Sequence, residues 1–180
     1  MAFPLDIQFV KRAEAKLGRK LPLGYVAKMC RDNGGEVATG TDHWWLYPIF
    51  DDSDRKRLKR TCNDIVRETA SAREWPDFPP EALAIGNNGG GDQLVILADP
   101  ETDRYGDAVY WWDHETGELN KVADAFEELS GGAAANQRLK LPGPPSWFSE
   151  LQGSCRRPWQ LSRARARRWG VVVIRRNESP

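Results

Sequence analysis

The run Ile85-Gly86-Asn87-Asn88-Gly89-Gly90-Gly91-Asp92 constrains this chain more than any other stretch. It leads straight into apolar Leu94-Val95-Ile96-Leu97-Ala98 and is answered later by Val109-Tyr110-Trp111-Trp112-Asp113. Four glycines within six positions place backbone where side chains would clash, in left-handed conformations or against another segment. A tight or crowded turn between two paired strands follows from this. A phosphate-binding loop would need a helix behind it with amides aimed at the anion, and strand formers stand there instead.

At 180 residues the chain has the size of one domain, or of one domain with an appendage. Its 40% hydrophobic content suffices for a core. No apolar run approaches the roughly 20 residues needed to span a bilayer. Met1 to Leu21 carries charges throughout, so neither a membrane helix nor a secretory signal is expected, and a cytoplasmic location is the default. Cys30, Cys62 and Cys155 are odd in number and widely spaced, which argues against a disulfide framework. Cys30 and Cys62 read as small buried hydrophobes on helices. With only His43 and His114 beside them, spacing assembles no zinc-type cluster, and neither metal nor cofactor is expected.

The formal net charge of zero conceals a division. Residues 1–150 carry a net charge of −7, with 18 Lys and Arg against 25 Asp and Glu, whereas Leu151 to Pro180 carries +7, with 8 against 1. An acidic body repels nucleic acid and favours cationic partners; the basic tail alone can contact phosphates or fold back on the body.

Apolar Ile7, Val10, Ala13 and Leu17 predict an amphipathic helix over Asp6 to Leu17, closed by Gly18. Tyr25, Val26, Met29 and Cys30 predict a second over Leu23 to Arg31, stopped at Asn33-Gly34-Gly35, where Asn and Gly supply a left-handed cap. Trp44 to Phe50 reads as a strand, with Pro48 marking an edge or an end. A long helix capped by Asp52, Ser53 or Asp54 is expected to run to about Arg73, with Leu58, Cys62, Ile65, Val66 and Thr69 on its apolar face and Arg55-Lys56-Arg57 and Lys59-Arg60 on a solvated one. Pro76, Pro79 and Pro80 end it. Strands follow at Leu83 to Gly86, Gln93 to Asp99, Ala108 to Asp113 and Leu119 to Val122, joined by polar turns that predict antiparallel pairing. A helix from about Ala123 to Leu129, broken at Gly131-Gly132, closes the domain. Two helices, a strand, a helix and a meander make an α+β plan.

Residues 1–131 are therefore expected to form the domain, and residues 132–180 a linker with an Arg- and Trp-rich basic C-terminal extension. Within it Val171 to Ile174 is either a strand added to a sheet edge or the end of a loosely held tail.

The order Ala13-Glu14 to Leu17-Gly18, Leu21-Pro22 to Tyr25, Asn33-Gly34-Gly35, the glycine run, Val109 to His114 and Phe126-Glu127-Glu128-Leu129 resembles the SMI1/KNR4 (SUKH) family over roughly residues 5 to 130. The resemblance implies a central, mostly antiparallel sheet flanked by helices. Many bacterial members are immunity proteins that bind and neutralise a cognate toxin, often a nuclease; fungal relatives are cell-wall regulators acting through protein contacts. No shared catalytic residues come with the family, and the pattern does not extend to Leu151 to Pro180.

Catalysis requires a nucleophile, or an acid and a base, within hydrogen-bond reach. Asp113 and His114 are adjacent at a strand end, where neighbours point to opposite faces, so His114 reads as a turn histidine and no enzyme is expected. Asp92 reads as a turn carboxylate accepting backbone amides rather than as a metal or water ligand, together with Asn33, Gly34, Gly35, Gly89, Gly90 and Gly91 in structural turns. Binding is better supported. One ring of each pair, Trp44-Trp45 and Trp111-Trp112, is expected to face outward as an interface anchor. Loop acids Asp51 and Asp52, then Asp99, Glu101 and Asp103, then Asp113 and Glu115 would form an anionic surface for a basic toxin if their loops share one end of the sheet. A regulatory scaffold without a toxin partner, or a nucleic-acid module working through Arg156 to Arg176 with Trp159 and Trp169, are the alternatives.

Overall fold

The computed structural model describes residues 3–40 and 42–131. Everything expected of residues 132–180, the linker, the basic extension, Cys155 and the Val171 to Ile174 strand included, lies outside the described residues. Helix α1 (Ile7–Leu17) starts where the Asp6 carboxylate accepts the Gln8 amide, and ends at Gly18, whose φ of 71° lets its N–H return to Glu14 O. Helix α2 (Leu23–Arg31) follows Leu21-Pro22. No described helix is long and apolar enough to cross a membrane.

Past α2 the expected left-handed asparagine is not found. Gly34 and Gly35 take the positive φ values, 85° and 93°. Asn33 instead turns its amide inward: Nδ2 donates to Ile49 O and Oδ1 accepts from Ile49 N, both at 2.7 Å. Gly35 also opens a strand that the sequence reading missed, β1 (Gly35–Thr39), which pairs antiparallel with β2 (Asp42–Leu46). The strand expected to reach Phe50 thus begins earlier and ends at Leu46.

The long helix expected to Arg73 is two, α3 (Arg55–Thr61) and α4 (Ile65–Ala72). Asp54 caps the first through the Lys56 and Arg57 amides, and Asp64 caps the second through those of Val66 and Arg67. A capping carboxylate satisfies amides that a continuous helix would bond internally, so the break sits where Asp64 outcompetes helix propagation. Leu58 consequently leaves the apolar face and is 40% exposed. Cys62 ends α3 with its thiol donating to Lys59 O, and both it and Cys30 are half-buried rather than fully buried, Cys30 packing against the edge of the core.

The meander comprises β3 (Ala82–Asn87), β4 (Gln93–Ala98), β5 (Tyr105–Trp112) and β6 (Leu119–Ala123). The closing helix is absent. β6 runs on to Ala123, only Phe126–Glu128 coils, as a single 3-10 turn, and Ser130–Gly131 forms β7 on the outer side of β1. The seven strands are antiparallel in the order β6-β5-β4-β3-β2-β1-β7, which makes the fold α+β as expected.

β6 and β7 are opposite edges of this sheet, yet only Asp124 to Leu129 lies between them. Laid flat, the edges of seven strands would stand roughly 29 Å apart. The connecting chain reaches at most roughly 25 Å, and its 3-10 turn shortens it further. The sheet must therefore curl, drawing its edges toward one another.

Lys28 Nζ closes the C-terminal end of α2 by donating to Asp32 O and Gly34 O. Burial pushes its ammonium down to about 8. Between that value and the ordinary one of about 10.4 the unfolded chain binds more protons than the folded one, so this residue makes stability rise with pH across the window. Burial raises the Cys30 thiol, which acts in the opposite sense. Urea unfolding from about pH 7.5 to 9.5 is therefore compared with Lys28→Gln: the parent should show the more positive slope, and identical slopes would refute the assignment.

Candidate functional site

The glycine run closes the β3–β4 hairpin at one end of the sheet. Asn87 Oδ1 accepts from Gly89 N and Asn88 Oδ1 from Gly90 N, two successive Asx turns that shape the loop. Gly89 and Gly91 have φ values of 79° and 125°. A Cβ on Gly89 would come within 3.1 Å of the Trp45 ring, and one on Gly91 within 2.7 Å of His114 Nε2. The glycines are thus crowded by two aromatic rings, one from β2 and one from the turn after β5, and the crowded-turn reading holds.

Asp92 stabilises this turn, but only in part as expected. Its Oδ1 accepts the His114 amide at 3.3 Å and faces His114 Nδ1 at 2.7 Å, while Oδ2 accepts from Asn88 Nδ2 at 2.8 Å. Burial works to raise its carboxyl, but the hydrogen bonds from His114 and Asn88 outweigh it and hold the group below the usual range. A carboxylate with a depressed value contributes stability above the unfolded value that is lost as acid protonates it. The pairing joins residues 22 positions apart, and nothing local in the sequence marks it. His114 does lie in a turn, its ring edge-on to Trp75 with centroids 5.7 Å apart.

The register places the tryptophans. Trp45, Asn87, Gln93 and Trp112 stand opposite one another across β2, β3, β4 and β5, so they share a face; Leu46, Gly86, Leu94 and Trp111 share the other. Trp44 and Trp112 are each 1% exposed, although they belong to opposite faces. Both faces are therefore covered. Trp44 is core, its Nε1 donating to Thr39 Oγ1, and within the two pairs Trp45 and Trp111 are the half-exposed members.

Strand direction divides the acids. Asp99, Glu101 and Asp103 follow β4, at the end toward which the chain also leaves β2 for Asp51 and Asp52. Asp113 and Glu115 follow β5 at the opposite end, beside the glycine turn. The loops do not share one end of the sheet. Their side chains differ as well. Asp51 is buried, accepting from Ser53 and bridging to Arg57 at 2.8 Å, and the latter is thereby removed from the solvated basic face. Asp52 is tied to Arg12 through two bonds of 2.8 and 3.0 Å. Asp99 and Asp113 accept amides of their own turns. Glu101, Asp103 and Glu115 are exposed.

Charge nevertheless follows architecture. Residues 35–54 carry five carboxylates and no Lys or Arg, and residues 82–123 carry eight carboxylates and two cations. The helical stretches reverse this, with seven cations against one carboxylate in residues 7–31 and seven against two in residues 55–73. Along the chain, carboxylates therefore concentrate in the strands and their loops and cations in the helices, with Asp51 and Asp52 paired across to Arg57 and Arg12.

A family model described as SMI1 / KNR4 family (SUKH-1) matches residues 4–131. No curated protein matches the chain.

Proposed function

The chain belongs to the SMI1/KNR4 family (SUKH-1), and on that premise we propose that it is a non-catalytic binding domain, an immunity protein that neutralises a cognate basic toxin by covering it. The exposed loop carboxylates carry this reading: Glu101, Asp103 and Glu115 face solvent and are open to an approaching cationic surface, while Asp51 and Asp52 are already paired with Arg57 and Arg12. Such a field accelerates encounter, and half-exposed Trp111 supplies apolar anchorage once contact is made.

Steering is tested at Glu101 and Asp103, because Asp99 builds its own turn and its replacement would confound folding with charge. Glu101→Lys with Asp103→Lys should slow association with the product of a toxin-like reading frame beside the gene by about tenfold at low salt, and the difference should shrink as salt rises. Undiminished association, together with full protection of cells co-expressing that toxin, would reject the Glu101 and Asp103 loop as a steering surface. Absence of any toxin partner in a pull-down from the native host would favour a regulatory scaffold instead.

A further inference from the structure

We infer that Asp92, Asp113 and His114 form a binding site for a divalent transition-metal ion of the zinc class, at the end of the sheet where the glycine turn meets the β5–β6 turn. One donor atom from each residue lies within 4.8 Å of the others, and all three side chains are half-buried. One imidazole nitrogen and two carboxylate oxygens, with further positions left to water, suit zinc, cobalt or manganese; magnesium and calcium select oxygen ligands alone.

Hydrogen bonds fix the two carboxylates in place. Asn88 fixes Asp92 through Oδ2 and leaves Oδ1 against His114 Nδ1. The Glu115 and Thr116 amides fix Asp113 through Oδ1, at 2.8 and 3.2 Å. Trp75 meets the His114 ring edge-on, and the ring lies over Gly91 in space that any Cβ would fill. An imidazole seated this way keeps one orientation, which is what a metal site asks of its histidine.

Charge balance points the same way. Two carboxylates converge here on a single imidazole, and residues 74–103 contain neither Lys nor Arg. Arg104, next in sequence, follows β4 at the other end of the sheet. A divalent cation would sit between His114 Nδ1 and Asp92 Oδ1, which now face one another at 2.7 Å, with the imidazole carrying its one proton on Nε2. It would also clip two turns that only hydrogen bonds now join.

The full chain is titrated with Zn2+ and Co2+ by calorimetry and by Co2+ absorption, with Mg2+ as a third arm. One equivalent of Zn2+ or Co2+ per chain, a Zn2+-dependent rise in melting temperature, and tenfold or greater weakening in both Asp113→Asn and His114→Gln are expected. Asp113→Asn keeps the carbonyl that accepts the two turn amides, so its melting temperature without metal should match the parent's and separate lost coordination from lost folding. Binding undiminished in both variants, no binding of either ion, or Mg2+ binding as tight as Zn2+ would each overturn the assignment.

Discussion

Gly86→Ala is expected to destabilise the chain by about 3 kcal/mol or more, enough to consume much of the 5–15 kcal/mol typical of a domain. Gly86 lies on β3 between Leu46 of β2 and Leu94 of β4. An added Cβ would stand 2.8 Å from the Trp45 carbonyl oxygen and 3.3 Å from Leu46 Cα. Both are backbone atoms in a paired strand, so neither can swing aside as a flexible side chain would. Relief requires β2 to move off β3, and the seam between them is short: Trp45 pairs with Asn87, Leu46 with Gly86, and the Tyr47 N–H donates to Ile85 O at 2.9 Å. Opening it would strand amides and carbonyls in a buried region. Gly90 provides the control, since its Cβ would meet only the Asn88 side chain, the nearest atom at 3.3 Å. Urea denaturation should show a large fall in midpoint for Gly86→Ala and a small one for Gly90→Ala. Equal midpoints for Gly86→Ala and the parent would mean that the seam yields freely.

The same glycine shows what was legible in the sequence and what was not. Four glycines in six positions announced a crowded turn, but the crowding atoms belong to Trp45 and His114, distant in sequence and brought there by strand pairing. Helices α1 and α2 were readable because their signals, Asp6 and Gly18 at the ends and a 3.6-residue stripe between, are local. The α3–α4 break was not, because it depends on a second cap, Asp64, inside a stretch whose apolar spacing runs on unbroken. β1 escaped notice because Gly34-Gly35 serves both to end a helix and to begin a strand. The acidic loops were found correctly as loops, yet which end of the sheet each occupies is set by strand direction, a property of the whole meander. Tryptophan alternation was right locally, with one ring of each pair deeply buried. It misled globally, because an in-and-out rule assumes one wet face and this sheet has both faces covered.

Trp112→Ala should cost about 3–5 kcal/mol, the range for truncating a large aromatic residue in a packed core. Trp112 is 1% exposed and lies against Phe78 and Trp75, edge-on in both cases, at centroid distances of 5.0 and 6.3 Å. Those two residues belong to the segment that leaves α4, so the indole helps tie that segment to the sheet. Its loss removes transfer energy, opens a cavity and ends two aromatic contacts, each of which is worth about 0.5–1.5 kcal/mol beyond burial. Trp75 in turn backs the His114 ring, so the damage should spread to the glycine turn. Hydrogen exchange should rise at the amides of Gly89, Gly90 and His114 as well as in β5, with the urea midpoint falling sharply. Trp111→Ala offers the contrast, because that ring is half-exposed on the other face and its truncation should cost stability less while weakening toxin capture more. If Trp112→Ala and Trp111→Ala lowered stability alike, the division of labour between the two adjacent rings, one holding the fold and one meeting the partner, would be wrong.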